Sequence, residues 1–200
     1  MHPRVLIALV AAGALALAAA AVIAARDEPR EAPGALRFEG SSLPKGLRAP
    51  ELGAVRTQDG ERLTMRSLRG RPVIVTFLYT TCDDTCPTQA QQVKGALNDL
   101  GRRVPAIAIA VDPQRDTPTR ARAFLARQRM TGRMDFVLGS RRELTRLWNA
   151  YSVRPQREDL EHTARLVLVD PKGTQRVSFP LDQLTPERLA HDLRLLADGH

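Results

Sequence analysis

The sequence predicts an α/β fold, a single central sheet flanked by helices, and three observations carry that prediction. Residues 73–78 form an unbroken apolar, β-branched run, the pattern of a strand buried on both faces. After them strand-like and helix-like segments alternate, the order that winds a sheet through crossover helices. The chain then closes on a hairpin signal followed by a helix. Two hundred residues, less an apolar N-terminal segment, hold one such domain. A 43% hydrophobic content gives it a core, although aromatic residues are only 4%.

Taken in order, the elements are these. Residues 5–25 carry no charge and are almost all Ala, Leu, Val and Ile. As a helix this run is about 31 Å long, the thickness of a bilayer core. Arg4 precedes it and Arg26 follows it; a basic N-terminus stays inside, which exports the remainder. Residues 1–26 therefore read as a membrane anchor. The alternative is a cleaved signal segment, which gives a secreted soluble form. Residues 27–50, rich in charge, Pro and Gly, read as a tether, and 51–200 as the folded domain.

Within it, residues 54–57 and 62–65 flank Gln58-Asp59-Gly60, an N-terminal β-hairpin signal. The central strand covers about residues 72–79. Pro87 reads as the first residue of a helix, with Cys86 at or beside its N-cap, and apolar spacing extends that helix from 88 to 100. Residues 104–111 are a second strand, and Thr117-Pro118 caps and opens a helix. Residues 134–138 are a third strand and 141–151 a helix. Asp170-Pro171-Lys172-Gly173 has type I turn composition and joins strands at 165–169 and 176–179 into a C-terminal β-hairpin. Leu184-Thr185-Pro186 opens the final helix, to about Leu196.

The net charge is +8, and only Lys45, Lys94 and Lys172 are lysines. No basic patch is interleaved with aromatics, so the charge reads as a solvated arginine-rich surface and no nucleic-acid partner is expected.

The chemistry gathers at Cys82 and Cys86, the only cysteines. One reading is a structural disulfide of an exported protein. Across three residues, however, a bridge removes little chain entropy. A thiol at a helix N-terminus has its thiolate stabilised by the helix dipole and free N–H groups. The pair therefore reads as a redox dithiol, a soft-metal site, or both. Of the four histidines, His2 lies in the targeting segment, His200 is terminal and His191 sits on the last helix. His162 follows the polar run 157–161 and precedes a strand, in a loop at one end of the sheet. Two thiolates and an imidazole suit a soft cation such as Cu(I), or zinc with a fourth ligand.

Residues 77–87 (FLYTTCDDTCP), residues 111–118 (VDPQRDTP), and His162 followed by residues 166–173 (LVLVDPKG) resemble the Sco/SenC family of copper-binding proteins, over about residues 53–196. The resemblance implies a thioredoxin-like fold and copper held by Cys82, Cys86 and His162, with the cysteines cycling between dithiol and disulfide. It implies a role near the site for Asp112, steering His162 or the loop. It further implies delivery of copper to the copper-binding subunit of a cytochrome oxidase, from an inner or plasma membrane anchor, with the domain on the periplasmic side. A thiol reductant or another copper carrier is a further expected partner. The family usually has apolar residues or Pro between the cysteines; here they are Asp83, Asp84 and Thr85. Two carboxylates there are expected to raise the thiol pKa values and attract a cation.

The alternative function is a thiol–disulfide reductase that keeps a copper-receiving partner reduced. The spacing C-x-x-x-C differs from the C-x-x-C of thioredoxins, and no proline lies between 160 and 166. A peroxiredoxin is excluded, because Pro and Thr are missing seven and three residues before either cysteine.

Overall fold

The computed structural model describes residues 37–155 and 164–199. The expected anchor at 5–25 and His162 both lie outside the described residues. Among those described, no helix is long and apolar enough to cross a membrane.

Seven strands form one mixed sheet: β1 (Ser41–Ser42), β2 (Arg56–Thr57), β3 (Val73–Leu78), β4 (Ala106–Ala110), β5 (Asp135–Leu138), β6 (Arg165–Val169) and β7 (Gln175–Pro180). Their order is β1-β7-β6-β3-β4-β5-β2. β3, β4 and β5 run parallel, and every other pairing is antiparallel. Four helices flank the sheet: α1 (Thr85–Leu100), α2 (Pro118–Arg127), α3 (Arg141–Ala150) and α4 (Pro186–Ala197). Every residue of β3 and β4 is buried, so both faces of the sheet's centre are covered, as the unbroken apolar runs require.

The crossovers β3-α1-β4 and β4-α2-β5 step the same way along the sheet. Right-handed connection puts α1 and α2 on one face, and the Gln91 side chain of α1 donates to the Gln128 carbonyl just past α2 at 3.1 Å. α3 reaches the sheet through Trp148, whose Nε1 donates to the Ala110 carbonyl at 2.9 Å. The caps act as read: Thr117 and Thr185 each accept an N–H three residues on, with Pro next. Gly173 N–H closes the β6–β7 turn on the Asp170 carbonyl at 2.9 Å.

Three features differ from the sequence reading. The first helix begins at Thr85 behind Asp84, two residues before Pro87. Pro87 still falls in the first turn, where its missing N–H has no intrahelical partner to lose. The N-terminal hairpin is a tight turn with one antiparallel bridge, Arg56 to Arg62; its first arm, β2, is spent on pairing with β5 at the sheet edge. Finally, the stretch read as a tether is tied to the domain at several points from residue 37 onward, although most of its side chains are exposed. β1 pairs with β7, and the Asp192 carboxylate of α4 accepts the Glu39 and Gly40 N–H groups at 2.8 and 3.0 Å. A Cβ on Gly40 would lie 2.5 Å from Val177, so the close approach needs glycine. None of these contacts is periodic in sequence.

Candidate metal centre

The site grows from the C-terminal end of β3. Val111 N–H donates to the Leu78 carbonyl at 3.0 Å, which carries the β3–β4 pairing one step past the strands. Beyond it the chain turns through Thr80 and Thr81 into Cys82, and α1 starts at once. The N-cap residue Asp84 supplies no side-chain cap. Sulfur takes over that role: Cys82 Sγ accepts the Cys86 N–H at 3.2 Å and lies 3.4 Å from the Thr85 hydroxyl. An orphan donor of the first turn is thus satisfied by the side chain of one cysteine from the backbone of the other.

This has an electrostatic consequence. Cys82 is lowered to about 4, chiefly because the Cys86 thiol donates to its sulfur; burial opposes this, and Thr85 with the N–H groups of Cys86 and Asp84 adds to the lowering. The same bond, together with burial, pushes Cys86 up. The two free cysteines therefore hold one proton between them at neutral pH, Cys82 as thiolate and Cys86 as thiol. Asp83 and Asp84 do not raise Cys82 as expected. Both are exposed, so solvent screens their charge while the donors act at contact.

The loop after β4 braces the cysteine loop. Asp116, 7% exposed, accepts the Thr80 N–H at 2.7 Å and the Thr80 hydroxyl at 2.8 Å through Oδ1. Its Oδ2 accepts the Asp112 N–H at 3.1 Å. Burial lifts the Asp116 carboxyl to about 6 against these donors. Asp112 directs its own carboxylate to the Arg115 guanidinium. Bracing of the loop thus falls to Asp116, which the sequence reading passed over although it sits inside the quoted 111–118 stretch.

A second link was also not foreseen. Gln89, fully buried one turn after Cys86, donates to the Arg165 carbonyl at 3.0 Å. It ties α1 to the start of β6, three residues past His162. Tyr151 stands edge-on to Phe77 of β3 at 5.4 Å, and its buried hydroxyl has no hydrogen-bond partner among the described residues. His191 is engaged elsewhere, its Nε2 lying 3.1 Å from the Arg37 carbonyl. Among the described residues no three Cys, His, Asp or Glu gather as a metal-binding group. The described donors are the two sulfurs, soft and one already ionised, a set that suits a soft monovalent cation.

Comparison with known proteins gives one consistent result. The family model described as SCO1/SenC matches residues 54–198. A Stutzerimonas stutzeri protein named for copper binding is 29% identical over 150 residues, covering 67% of this chain and 70% of that one. A Bacillus subtilis SCO1 protein homolog is 28% identical over 130 residues, 58% of this chain and 65% of that one. Among solved structures, Bradyrhizobium japonicum ScoI with copper bound aligns with a TM-score of 0.61 and 29% identity, over 78% of this chain and 98% of that one. BsSco is described as a member of the Sco family of cytochrome c oxidase assembly proteins with a disulfide switch. It aligns with a TM-score of 0.68 and 21% identity, over 80% and 99%, a likeness of fold.

Proposed function

The chain belongs to the SCO1/SenC family, and from that premise we propose that it is a membrane-anchored copper carrier serving the copper centre of a respiratory oxidase. Cys82, Cys86 and His162 hold the metal; residues 5–25 anchor the domain on the exported side. The observation that carries this reading is the pair of free sulfurs at the mouth of the sheet, with Cys82 Sγ accepting the Cys86 N–H in the first turn of α1. Cys82 meets Cu(I) already ionised. Cys86 gives up its proton as the metal takes the place of the S–H···S bond, so one proton leaves per copper bound. His162 supplies the third donor. Oxidation of the pair, which removes its one remaining proton and two electrons and joins the sulfurs, removes both thiolate donors, so loading needs the reduced pair. Transfer proceeds by ligand exchange with the oxidase's copper-binding subunit.

The test is a titration of the reduced full chain with Cu(I) against a competing chelator. About one copper should bind per chain, with His162→Ala weakening binding by at least about tenfold and His191→Ala leaving it unchanged. Wild-type affinity in His162→Ala rules out the three-ligand site.

One observation favours a second role. A low-pKa thiolate beside a buried partner thiol is the arrangement of a disulfide reductase. Cys82 would attack a partner's disulfide, and Cys86, deprotonated, would then displace it, leaving the Cys82–Cys86 disulfide and a reduced partner. Stoichiometric reduction of a receiving subunit's disulfide without copper would put this role first.

A further inference from the structure

The end of the sheet opposite the cysteines carries a groove of about 580 Å³, within the range of small-molecule sites. Topology builds it. The parallel strands β3, β4 and β5 all begin at this end, and each is preceded by arginine: Arg71 before β3, Arg102 and Arg103 before β4, and Arg133 before β5. β3 alone is about 20 Å long, so the groove is well separated from the sulfurs.

The four guanidinium groups are unequally occupied. Arg133 donates to the Asn98 side chain at 2.8 Å and Arg103 to the Gly132 carbonyl at 3.3 Å. Arg71 and Arg102 are exposed and make no hydrogen bond or ion pair with any described residue. Two carboxylates, Glu61 and Asp135, face the four cations in the lining, so positive charge is in excess. The excess is larger while Asp135 keeps its proton, and burial raises its pKa. The floor differs in kind: Leu68, Leu97 and Val104 are buried apolar side chains. Gly101 and Gly132, with no neighbour within 4 Å of a built Cβ, leave the rim open.

We propose that this groove binds a phosphate-bearing anion, its phosphate held by the Arg71 and Arg102 guanidinium groups and its body resting on the apolar floor. Guanidinium is the side chain whose planar fork matches phosphate oxygens in pairs, and two forks with no partner among the described residues are ready donors. The phosphate comes either from a free polyphosphate or from an anionic lipid headgroup. The site stands independently of the copper reading, since it shares no residue with it.

The full chain in nonionic detergent is titrated calorimetrically with inorganic pyrophosphate, with dihexanoyl phosphatidylglycerol, and with dihexanoyl phosphatidylcholine as the zwitterionic control. The Arg71→Ala/Arg102→Ala chain should lose at least about tenfold in affinity for the bound anion, while Arg127→Ala/Arg142→Ala, which removes the same charge elsewhere, should not. Thermal unfolding of both variants confirms that they fold. Binding of pyrophosphate identifies free phosphate as the source; binding of phosphatidylglycerol without pyrophosphate identifies the headgroup. Equal losses in the two double variants, equal binding of the zwitterionic lipid, or no binding of either anion overturns the proposal.

Discussion

Each end of the sheet holds a buried aspartate that gathers backbone N–H groups. At the β6–β7 turn, Asp170 accepts from Lys172 and Thr174 at 3.0 and 2.8 Å. At the cysteine end, Asp116 accepts from Thr80 and Asp112 at 2.7 and 3.1 Å. Both residues are 7% exposed. Asp170 ties a hairpin to itself across a few residues. Asp116 joins segments 36 residues apart, one of which leads into Cys82. The first is a turn that folds locally; the second fixes a reactive loop from outside, which a local turn cannot do. One end of the molecule uses buried polar groups to hold two sulfurs still, whereas the other leaves arginines unoccupied at an open rim.

The largest effect that sharpens this contrast comes from the sulfurs. Cys82→Ala or Cys86→Ala should cut Cu(I) affinity by at least about a hundredfold in competition titrations, since a thiolate ligand is lost, and leave anion binding at the far end untouched. A parallel loss at both ends would show that the ends are not independent.

Next in size is the pair of aspartates. Asp116→Ala strands two N–H groups and a hydroxyl, and should cost about 2–4 kcal/mol in denaturant unfolding, against about 1–3 kcal/mol for Asp170→Ala. Only the first should change the Cys82 titration. An equal change from Asp170→Ala would break the comparison.

The third effect is one of pH. Cys82 is held at about 4, below its unfolded value near 8.5. Its contribution to stability is full above that unfolded value and is lost as pH falls through about 4. Cys86 acts oppositely above about 8.5, because its hydrogen bond to the Cys82 sulfur, together with burial, keeps its proton where the unfolded chain has released its own. Asp116, raised to about 6, contributes stability that is full below about 4 and gone above about 6. Thiolate absorbance should therefore report about one thiolate per reduced chain from pH 8 down to about 5. Below pH 6 stability should fall more steeply in Asp116→Asn than in wild type. A thiolate signal that vanishes near pH 8 would remove the shared-proton pair.

The smallest expected change is at the residues between the cysteines. Asp83→Asn/Asp84→Asn should move the Cys82 titration by no more than about 0.5 pH unit, because both charges are screened by water.

What could be read from sequence follows the same division between local and distant. β3 was legible because burial on both faces leaves an unbroken apolar run; the helices opening at Pro118 and Pro186 were legible from their Thr-Pro caps. The turn at Asp170 declared itself in four consecutive residues. The brace at Asp116, the Gln89–Arg165 link and the pairing of Ser41–Ser42 with β7 were not legible, since each partner lies far along the chain and no periodicity announces it. The cap on α1 misled for a different reason. A cysteine sulfur replaced the oxygen that usually marks a helix start, so the proline stood out and the true first turn did not. His162 lies outside the described residues, and its part rests on the family resemblance.

The stitching at residues 39–42 has a mechanical meaning. A pull on the chain at residue 37 meets two N–H bonds to Asp192 on α4 and a short antiparallel pairing with β7. β7 and β6 stand between that edge and β3. Load applied there divides between α4, which packs on α1, the helix that holds Cys86, and the outer strands, which lead to β3. A pull at the N-terminal side therefore has two routes to the sulfur pair, a direct one through α4 and α1 and a longer one through β7 and β6.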